Sequence, residues 1–290
     1  MSSSLATPPR TDSQADALIQ RRAAGHVHGH ENNGVPTLLC ASGRGGSGTT
    51  LVSALLAVAA AGDGYRVLLI DADEHVGPLA LTLGVTPRAS WQDVRGGQFG
   101  AIDVAMPLST TLTLVAGGPA LLSDRHAMPA TMAERRACLR RVSALSQSMD
   151  LVVIDCGSRF ESIVSAIAPH DGERLVAVTT GADPIALAST YALCKAVLAR
   201  HRALPLDVLV NRHDGPEALR SFDAIDAGAR QFLGTSLHFA GAIPSDPTLD
   251  AALRAGMPFP DAAAGSPAAI AAHDVVMRTL AGTSSTRPGV

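Results

Sequence analysis

Two strand ends bearing carboxylates and one glycine-rich loop are the parts of this chain that can do chemistry. Asp71 and Asp73 follow the apolar run Val67-Leu68-Leu69-Ile70, and Asp155 closes Leu151-Val152-Val153-Ile154 just before Cys156 and Gly157. Phosphoryl transfer needs carboxylates that hold magnesium's water shell and a group that orients the attacking water, so a DxD at a strand end is chemically apt. Asp155 would hold magnesium through water, while Gly157 would let the next loop approach a γ-phosphate. The plainer alternatives are a strand-end turn for Asp71 and Asp73, in which aspartate caps backbone amides, and a helix cap for Asp155.

The glycine loop is Ser42-Gly43-Arg44-Gly45-Gly46-Ser47-Gly48-Thr49-Thr50, lying between the apolar runs Val35–Ala41 and Leu51–Ala61. Gly43, Gly45, Gly46 and Gly48 would let backbone N–H groups converge on an anion that the following helix N-terminus also attracts. The general phosphate-loop pattern G-x-x-x-x-G-K-[ST] has a lysine where this chain has Thr49, whereas Thr50 supplies the magnesium-type hydroxyl. Losing one charge-assisted hydrogen bond costs about 1.5–3 kcal/mol, or roughly ten- to a hundredfold in nucleotide affinity. Backbone and magnesium can still hold ATP, but a transition state developing charge has lost a compensating cation. Arg44 would supply one if it folded back into its own site. Asn211, ending Asp207-Val208-Leu209-Val210, carries an amide with the donor and acceptor needed to read a purine edge, or to close a strand-end turn.

Gathering these residues requires a frame. From Val35 the chain alternates β-rich apolar runs with longer helical patterns, which predicts an α/β fold: a mostly parallel sheet flanked by helices on both faces, in three layers. The expected strands are Thr37–Ala41, Arg66–Ile70, Leu112–Ala116, Leu151–Asp155, Arg174–Thr179, Leu206–Val210 and Phe239–Ile243. The expected helices are Thr50–Ala61, a short one near Trp91–Val94, Met132–Gln147, Phe160–Ala168, Pro184–His201, Ser221–Phe232, Thr248–Gly256 and Pro267–Leu280. In such sheets ligands bind beyond the carboxyl ends of the strands, where each candidate residue falls.

Composition sets further bounds. The 290 residues are 47% hydrophobic and 17% charged, with a net charge of −3. They read as one domain, residues 35–280, between a tail at 1–34 and a disordered C-terminal tail at 281–290. No apolar run reaches the ~20 residues needed to span a bilayer, and the N-terminus reads as neither signal nor anchor, so a cytoplasmic protein is expected. Cys40, Cys138, Cys156 and Cys194 are far apart and read as buried free thiols. Arg135, Arg136, Arg140 and Arg141 share one predicted helix and read as a solvated face; with no dense basic cluster elsewhere, DNA is an unlikely partner. Lys195 is the sole lysine. In the N-terminal tail, Asp12–Ala24 has helical spacing, and His26, His28 and His30 alternate in a tract that reads as solvated or as a weak metal site.

Together Gly43–Thr50, Leu69-Ile70-Asp71-Ala72-Asp73, Val153-Ile154-Asp155-Cys156-Gly157 and Val210-Asn211-Arg212 resemble the deviant P-loop ATPases of the MinD/ParA class, over about Thr37–Leu280. Within that class, Val178-Thr179-Thr180, Thr190–Lys195, Arg230–Gly234 and Gly241–Asp246 most resemble the FlhG (FleN) regulators of flagellar number and placement. Ser13-Gln14-Ala15-Asp16-Ala17-Leu18 is similar to the helix that FlhG proteins offer to the flagellar GTPase FlhF, although Ser13 and Ile19 replace its acidic and basic ends. The resemblance implies ATP and Mg2+ as cofactors and an ATP-dependent homodimer. It assigns Arg44 to a signature lysine reaching across that dimer, Thr50 with Asp71 and Asp155 to magnesium, Asp73 to positioning water and Asn211 to adenine. It also implies an FlhF-like partner for residues 12–24, a flagellar C-ring or transcriptional regulator as a further partner, and recruitment to a cell pole or the inner membrane face.

Three departures bear on this transfer: Thr49 replaces the phosphate lysine, Ser47 an apolar residue, and Pro78 and Ala80 the Asn and Asp that commonly follow the DxD. They imply weak or absent hydrolysis, in a feeble ATPase or a pseudo-ATPase. No basic amphipathic C-terminal helix is evident, so direct membrane contact is doubtful. Alternatives are a non-catalytic scaffold similar to the CpaE/TadZ pilus-localisation proteins and a ParA-type partitioning ATPase.

Overall fold

The computed structural model describes residues 34–97, 99–118, 130–168, 172–181 and 183–284. The expected tail helix at 12–24, the His26/His28/His30 tract and residues 285–290 lie outside the described residues. In chain order the elements are β1 Thr37–Ala41, α1 Thr49–Gly62, β2 Val67–Asp71, α2 Pro78–Leu83, β3 Ala105–Pro107, β4 Leu112–Val115, α3 Met132–Ser143, β5 Leu151–Gly157 and α4 Phe160–Ala166. They continue as β6 Glu173–Thr180, α5 Pro184–Leu198, β7 Leu206–Asn211, α6 Gly215–Leu233, β8 His238–Ile243, α7 Pro247–Arg254, α8 Phe259–Ala263 and α9 Pro267–Ser284.

The eight strands form one sheet in the order β3-β4-β2-β5-β1-β6-β7-β8, parallel throughout except for β3 against β4. Every residue of β1, β2 and β7 is buried, as befits strands covered on both faces. Alternation along β1 feeds two cores. Leu38 and Cys40 join α1, α2, α7, α8 and α9 on one face, whereas Leu39 and Ala41 join α3, α4, α5 and α6 on the other. The three-layer expectation is thus met, and all four cysteines are buried and free.

Strand order places the glycine loop. From β1 the chain runs to β2, two places to one side, while β6, β7 and β8 extend to the other. The loop after β1 therefore opens into the crevice where the winding direction reverses. A register shift between Cys40 and Ala41 sets Cys40 opposite Asp155 and Ala41 opposite Gly157. This irregularity brings the Gly157 carbonyl to the Ser42 N–H, at 2.9 Å.

All seven expected strands are present. The three-residue β3, which ends in Pro107 at the sheet edge, is additional, as are the short helices α2 and α8. Helix α6 begins at Gly215 rather than Ser221, because Asp214 and Pro216 open a helix rather than a turn. The helix expected over Met132–Gln147 stops at Ser143 and tightens into a 3-10 turn at Ala144–Ser148. At the other end α9 runs on to Ser284, so residues 281–284 of the expected disordered tail are helical. No helix among the described residues is long and apolar enough to cross a membrane.

Candidate nucleotide site

The glycine loop is held from three sides. Gly43 lies so close to α5 that a Cβ would stand 2.0 Å from the Ser189 carbonyl oxygen, a contact that only glycine permits. The Ser42 and Ser47 hydroxyls both donate to the Arg44 carbonyl, at 2.9 and 3.2 Å. Ser47 is buried, and this hydrogen bond explains a hydroxyl where the MinD/ParA pattern carries an apolar side chain. From β7, Asn211 Nδ2 donates to the Ser47 carbonyl at 2.9 Å while its Oδ1 accepts the Arg212 N–H at 3.0 Å. Asn211 is buried, and its amide spans the strand end and the loop.

Gly48 caps α1 with φ 82°, and no side chain caps that helix or adds an acid to its first turn. The N–H groups of the first turn are therefore left facing the loop, with the positive end of the helix dipole behind them. Gly45 and Gly46 are exposed at the rim, whereas Thr49 is buried.

Among the described residues, three buried side-chain polar atoms lack a hydrogen-bond partner: Asp155 Oδ2, Arg44 Nε and Thr179 Oγ1. All three sit at the carboxyl edge of the sheet, on the ends of β5 and β6 or on the loop between their neighbour β1 and α1. Leaving such groups unpaired inside a protein costs about 1–3 kcal/mol each, a cost that a polar ligand bound at this edge would offset.

Asp155 Oδ1 accepts the Gly157 N–H at 3.1 Å. Burial pushes its carboxyl up to about 6, a rise that the Thr50 hydroxyl and the Gly157 N–H oppose and the charge of Asp73 reinforces. A carboxylate so placed, with one free oxygen and a hydroxyl beside it, is suited to a hard divalent cation. Thr50 and Asp155 thus fit magnesium. No group of three or more His, Cys, Asp or Glu able to hold a metal occurs among the described residues, so such an ion would need ligands from water or a phosphate.

Asp71 pairs with Asp155 across β2 and β5, and burial together with that neighbour raises its carboxyl well above the usual range. Both its oxygens already accept backbone N–H groups, Oδ1 from Asp73 and Oδ2 from Leu79, each at 2.9 Å. Asp73 is half-buried, and its Oδ1 accepts the N–H groups of His75 at 2.7 Å and Val76 at 3.1 Å. The DxD is thus both a turn and a mouth of the crevice.

Arg44 is engaged within its own chain. Its guanidinium meets Asp183 Oδ2 at 2.6 Å and Thr180 Oγ1 at 3.5 Å, at the junction of β6 and α5. Thr180 closes the Val178-Thr179-Thr180 stretch singled out in the sequence, but Asp183 lies in no motif that sequence reading could have flagged. The arginine cluster on α3 is a solvated face only in part: Arg140 and Arg141 are exposed, Arg136 is half-buried and Arg135 is buried. Arg135 is buried against Glu74, Arg136 donates to the Val164 carbonyl at 3.2 Å and Arg141 to the Val94 carbonyl at 3.1 Å. Helical spacing shows which residues share a face but not what long-range partner covers it.

Residues 38–259 match the CobQ/CobB/MinD/ParA nucleotide binding domain. The chain is 28% identical over 222 residues to the antiactivator FleN of Pseudomonas aeruginosa, covering 76% of this chain and 77% of that one. It is 27% identical over 246 residues to an uncharacterised ATP-binding protein of Methanocaldococcus jannaschii, covering 83% and 86%. Its fold matches the septum site-determining protein MinD of Pyrococcus horikoshii, solved with Mg-ADP, at TM-score 0.69 and 22% identity over 87% of this chain and 100% of that one. The chain belongs to the CobQ/CobB/MinD/ParA family of nucleotide-binding domains.

Proposed function

We propose that this protein is an FlhG-like switch that dimerises on Mg-ATP and regulates flagellar number or placement, with hydrolysis weak or absent. The observation that carries the nucleotide reading is Asp155 Oδ2, buried and unpartnered at the end of β5, with the Thr50 hydroxyl of the glycine loop beside its carboxylate. In this reading Gly43–Thr50 cradle the phosphates. Thr50 and Asp155 hold magnesium, with Asp71 fixing the turn beside them. When bound, that ion would neutralise phosphate charge. Asp73 orients water, and Asn211 either contacts adenine or serves the loop alone. Thr49 leaves the phosphates without the usual cation, which is why binding outlasts turnover.

The flagellar assignment rests on the FleN relative and on the resemblance of Thr190–Lys195 and Arg230–Gly234. It brings with it an FlhF-like GTPase contacted through residues 12–24 of an N-terminal tail at 1–34, a C-ring or transcriptional partner, and a cytoplasmic protein recruited to a cell pole. The nucleotide domain is residues 35–280 in this scheme. Calorimetry with Mg-ATP, alongside chromatography that reads the dimer fraction, tests the switch. Binding with a rise in dimer supports it, and no binding at millimolar Mg-ATP overturns it in favour of the pseudo-ATPase scaffold. A peptide of residues 1–25 should stimulate a cognate FlhF GTPase, and no stimulation removes that partner.

A further inference from the structure

Glu74, immediately after the DxD, is buried although it is an acid in a loop. Its carboxylate is ion-paired with Arg135 of α3, itself buried, with Arg135 Nε 3.3 Å from Glu74 Oε2. Its carbonyl accepts from Gln92 Nε2 at 2.7 Å, and Trp91 Nε1 donates to the Asp71 carbonyl at 2.8 Å. His75 Nε2 lies 3.4 Å from the same carboxylate. Gly118 N–H closes the far side on the Asp73 carbonyl at 2.7 Å. Every one of these contacts grips the loop that carries Asp73, and none touches the glycine cradle.

A buried ion pair is a poor device for stability, since apolar residues of similar volume commonly do as well or better. What it supplies is directionality: a planar guanidinium and a carboxylate fix one another's orientation, where a leucine pair would slide. The fold around Glu74 thus commits buried polar groups from α3 and from the 3-10 helix Trp91–Gly96 to the placement of a single short stretch, Asp71–His75.

We infer that Arg135, with Gln92, is a positioning residue for Asp73: the Glu74–Arg135 pair holds the DxD loop where it distinguishes a nucleoside triphosphate from the diphosphate. This rests on the nucleotide-switch reading above. The same pair ties the loop to α3, so a loop shift on exchange of the nucleotide would move α3 with it.

The test compares the full-length parent with Glu74→Leu/Arg135→Met, which removes both charges together and leaves no orphan, and with Arg135→Lys. Exchange of the His75 and Val76 amides, read without nucleotide, should quicken more than tenfold in the double variant while β1 amides stay unchanged. Mg-ADP affinity should remain within about threefold of the parent, because the cradle is intact, whereas the preference for a non-hydrolysable ATP analogue over ADP should collapse. Arg135→Lys, which keeps the charge, should recover part of that preference. A double variant with parent-like amide exchange, or with faster exchange but an unchanged preference, overturns the inference. A parent that binds neither nucleotide overturns the switch reading itself, and the amide-exchange arm still shows whether the clamp holds the loop.

Discussion

Asn211 donates its side-chain amide to the Ser47 carbonyl at 2.9 Å, through the space that a Cβ on Gly48 would occupy, 2.3 Å from Asn211 Nδ2. One missing side chain therefore serves two ends: it permits φ 82° at the cap of α1 and it admits a tie from β7, 164 residues along the chain.

That relationship separates two otherwise similar glycines. Gly46 has φ 83° with nothing within 4 Å of where a Cβ would stand, so Gly46→Ala should incur only the strain of a left-handed residue, about 1–2 kcal/mol. Gly48→Ala should cost at least ~1 kcal/mol more, because it also breaks the Asn211 hydrogen bond. Adding Asn211→Ala to Gly48→Ala should then cost less than Asn211→Ala costs the parent. Denaturant unfolding of the four variants decides this, and equal losses at Gly46 and Gly48 would mean that Asn211 does not constrain the loop.

Much of this frame was legible in the sequence. Strands buried on both faces are continuous apolar runs, so β1, β2, β5, β6 and β7 stand out without any alternating pattern, and their carboxyl ends carry the glycines, Asp71, Asp155 and Asn211 with them. β3 leaves no such trace, since Ala105-Met106-Pro107 is too short to show a pattern. The pairs Arg44–Asp183 and Glu74–Arg135 are illegible for a different reason: each joins residues far apart in the chain, and charge complementarity at that distance has no local signature.

The raised Asp155 carboxyl predicts a pH dependence. Its folded value, about 6, exceeds the unfolded carboxylate value, so the stability it contributes is fully present below about 4 and lost as pH rises through about 6. At neutral pH the buried charge then costs on the order of 3 kcal/mol. Asp155→Asn should stabilise the nucleotide-free protein at pH 7.5 and lessen, without abolishing, the fall in its stability between pH 4 and 6, since burial also raises the carboxyls of Asp71 and Glu173. Glu173, raised to about 7 by burial, keeps its own titration in both proteins and does not confuse the comparison. Magnesium with nucleotide should stabilise the parent more at pH 7.5 than at pH 5 and the variant little at either. Identical melting profiles for the two proteins would remove Asp155 from the site.

Thr49 is buried at the head of α1, one residue before the hydroxyl that meets Asp155. Thr49→Lys should tighten Mg-ATP binding by roughly ten- to a hundredfold, the equivalent of one charge-assisted hydrogen bond. Single-turnover hydrolysis should rise with it if the missing cation is what limits the chemistry. Tighter binding with no faster hydrolysis would place the deficiency at Asp73 or Arg44 instead.

The 2.6 Å ion pair between Arg44 and Asp183 is partly exposed, with 38% and 41% of the two side chains accessible, so its contribution to stability should be under ~1 kcal/mol. Its effect on the switch should be larger, because a guanidinium held to α5 in its own chain is not free to reach a phosphate or a second protomer. Asp183 also caps α5 by accepting the Ile185 N–H at 3.0 Å, and asparagine caps as well as aspartate does, so Asp183→Asn removes the charge and keeps the cap. The variant should melt within a few degrees of the parent yet dimerise at lower Mg-ATP concentration, whereas Arg44→Ala should not dimerise. A dimer fraction that falls in Asp183→Asn would mean that the pair presents Arg44 to the nucleotide rather than withholding it.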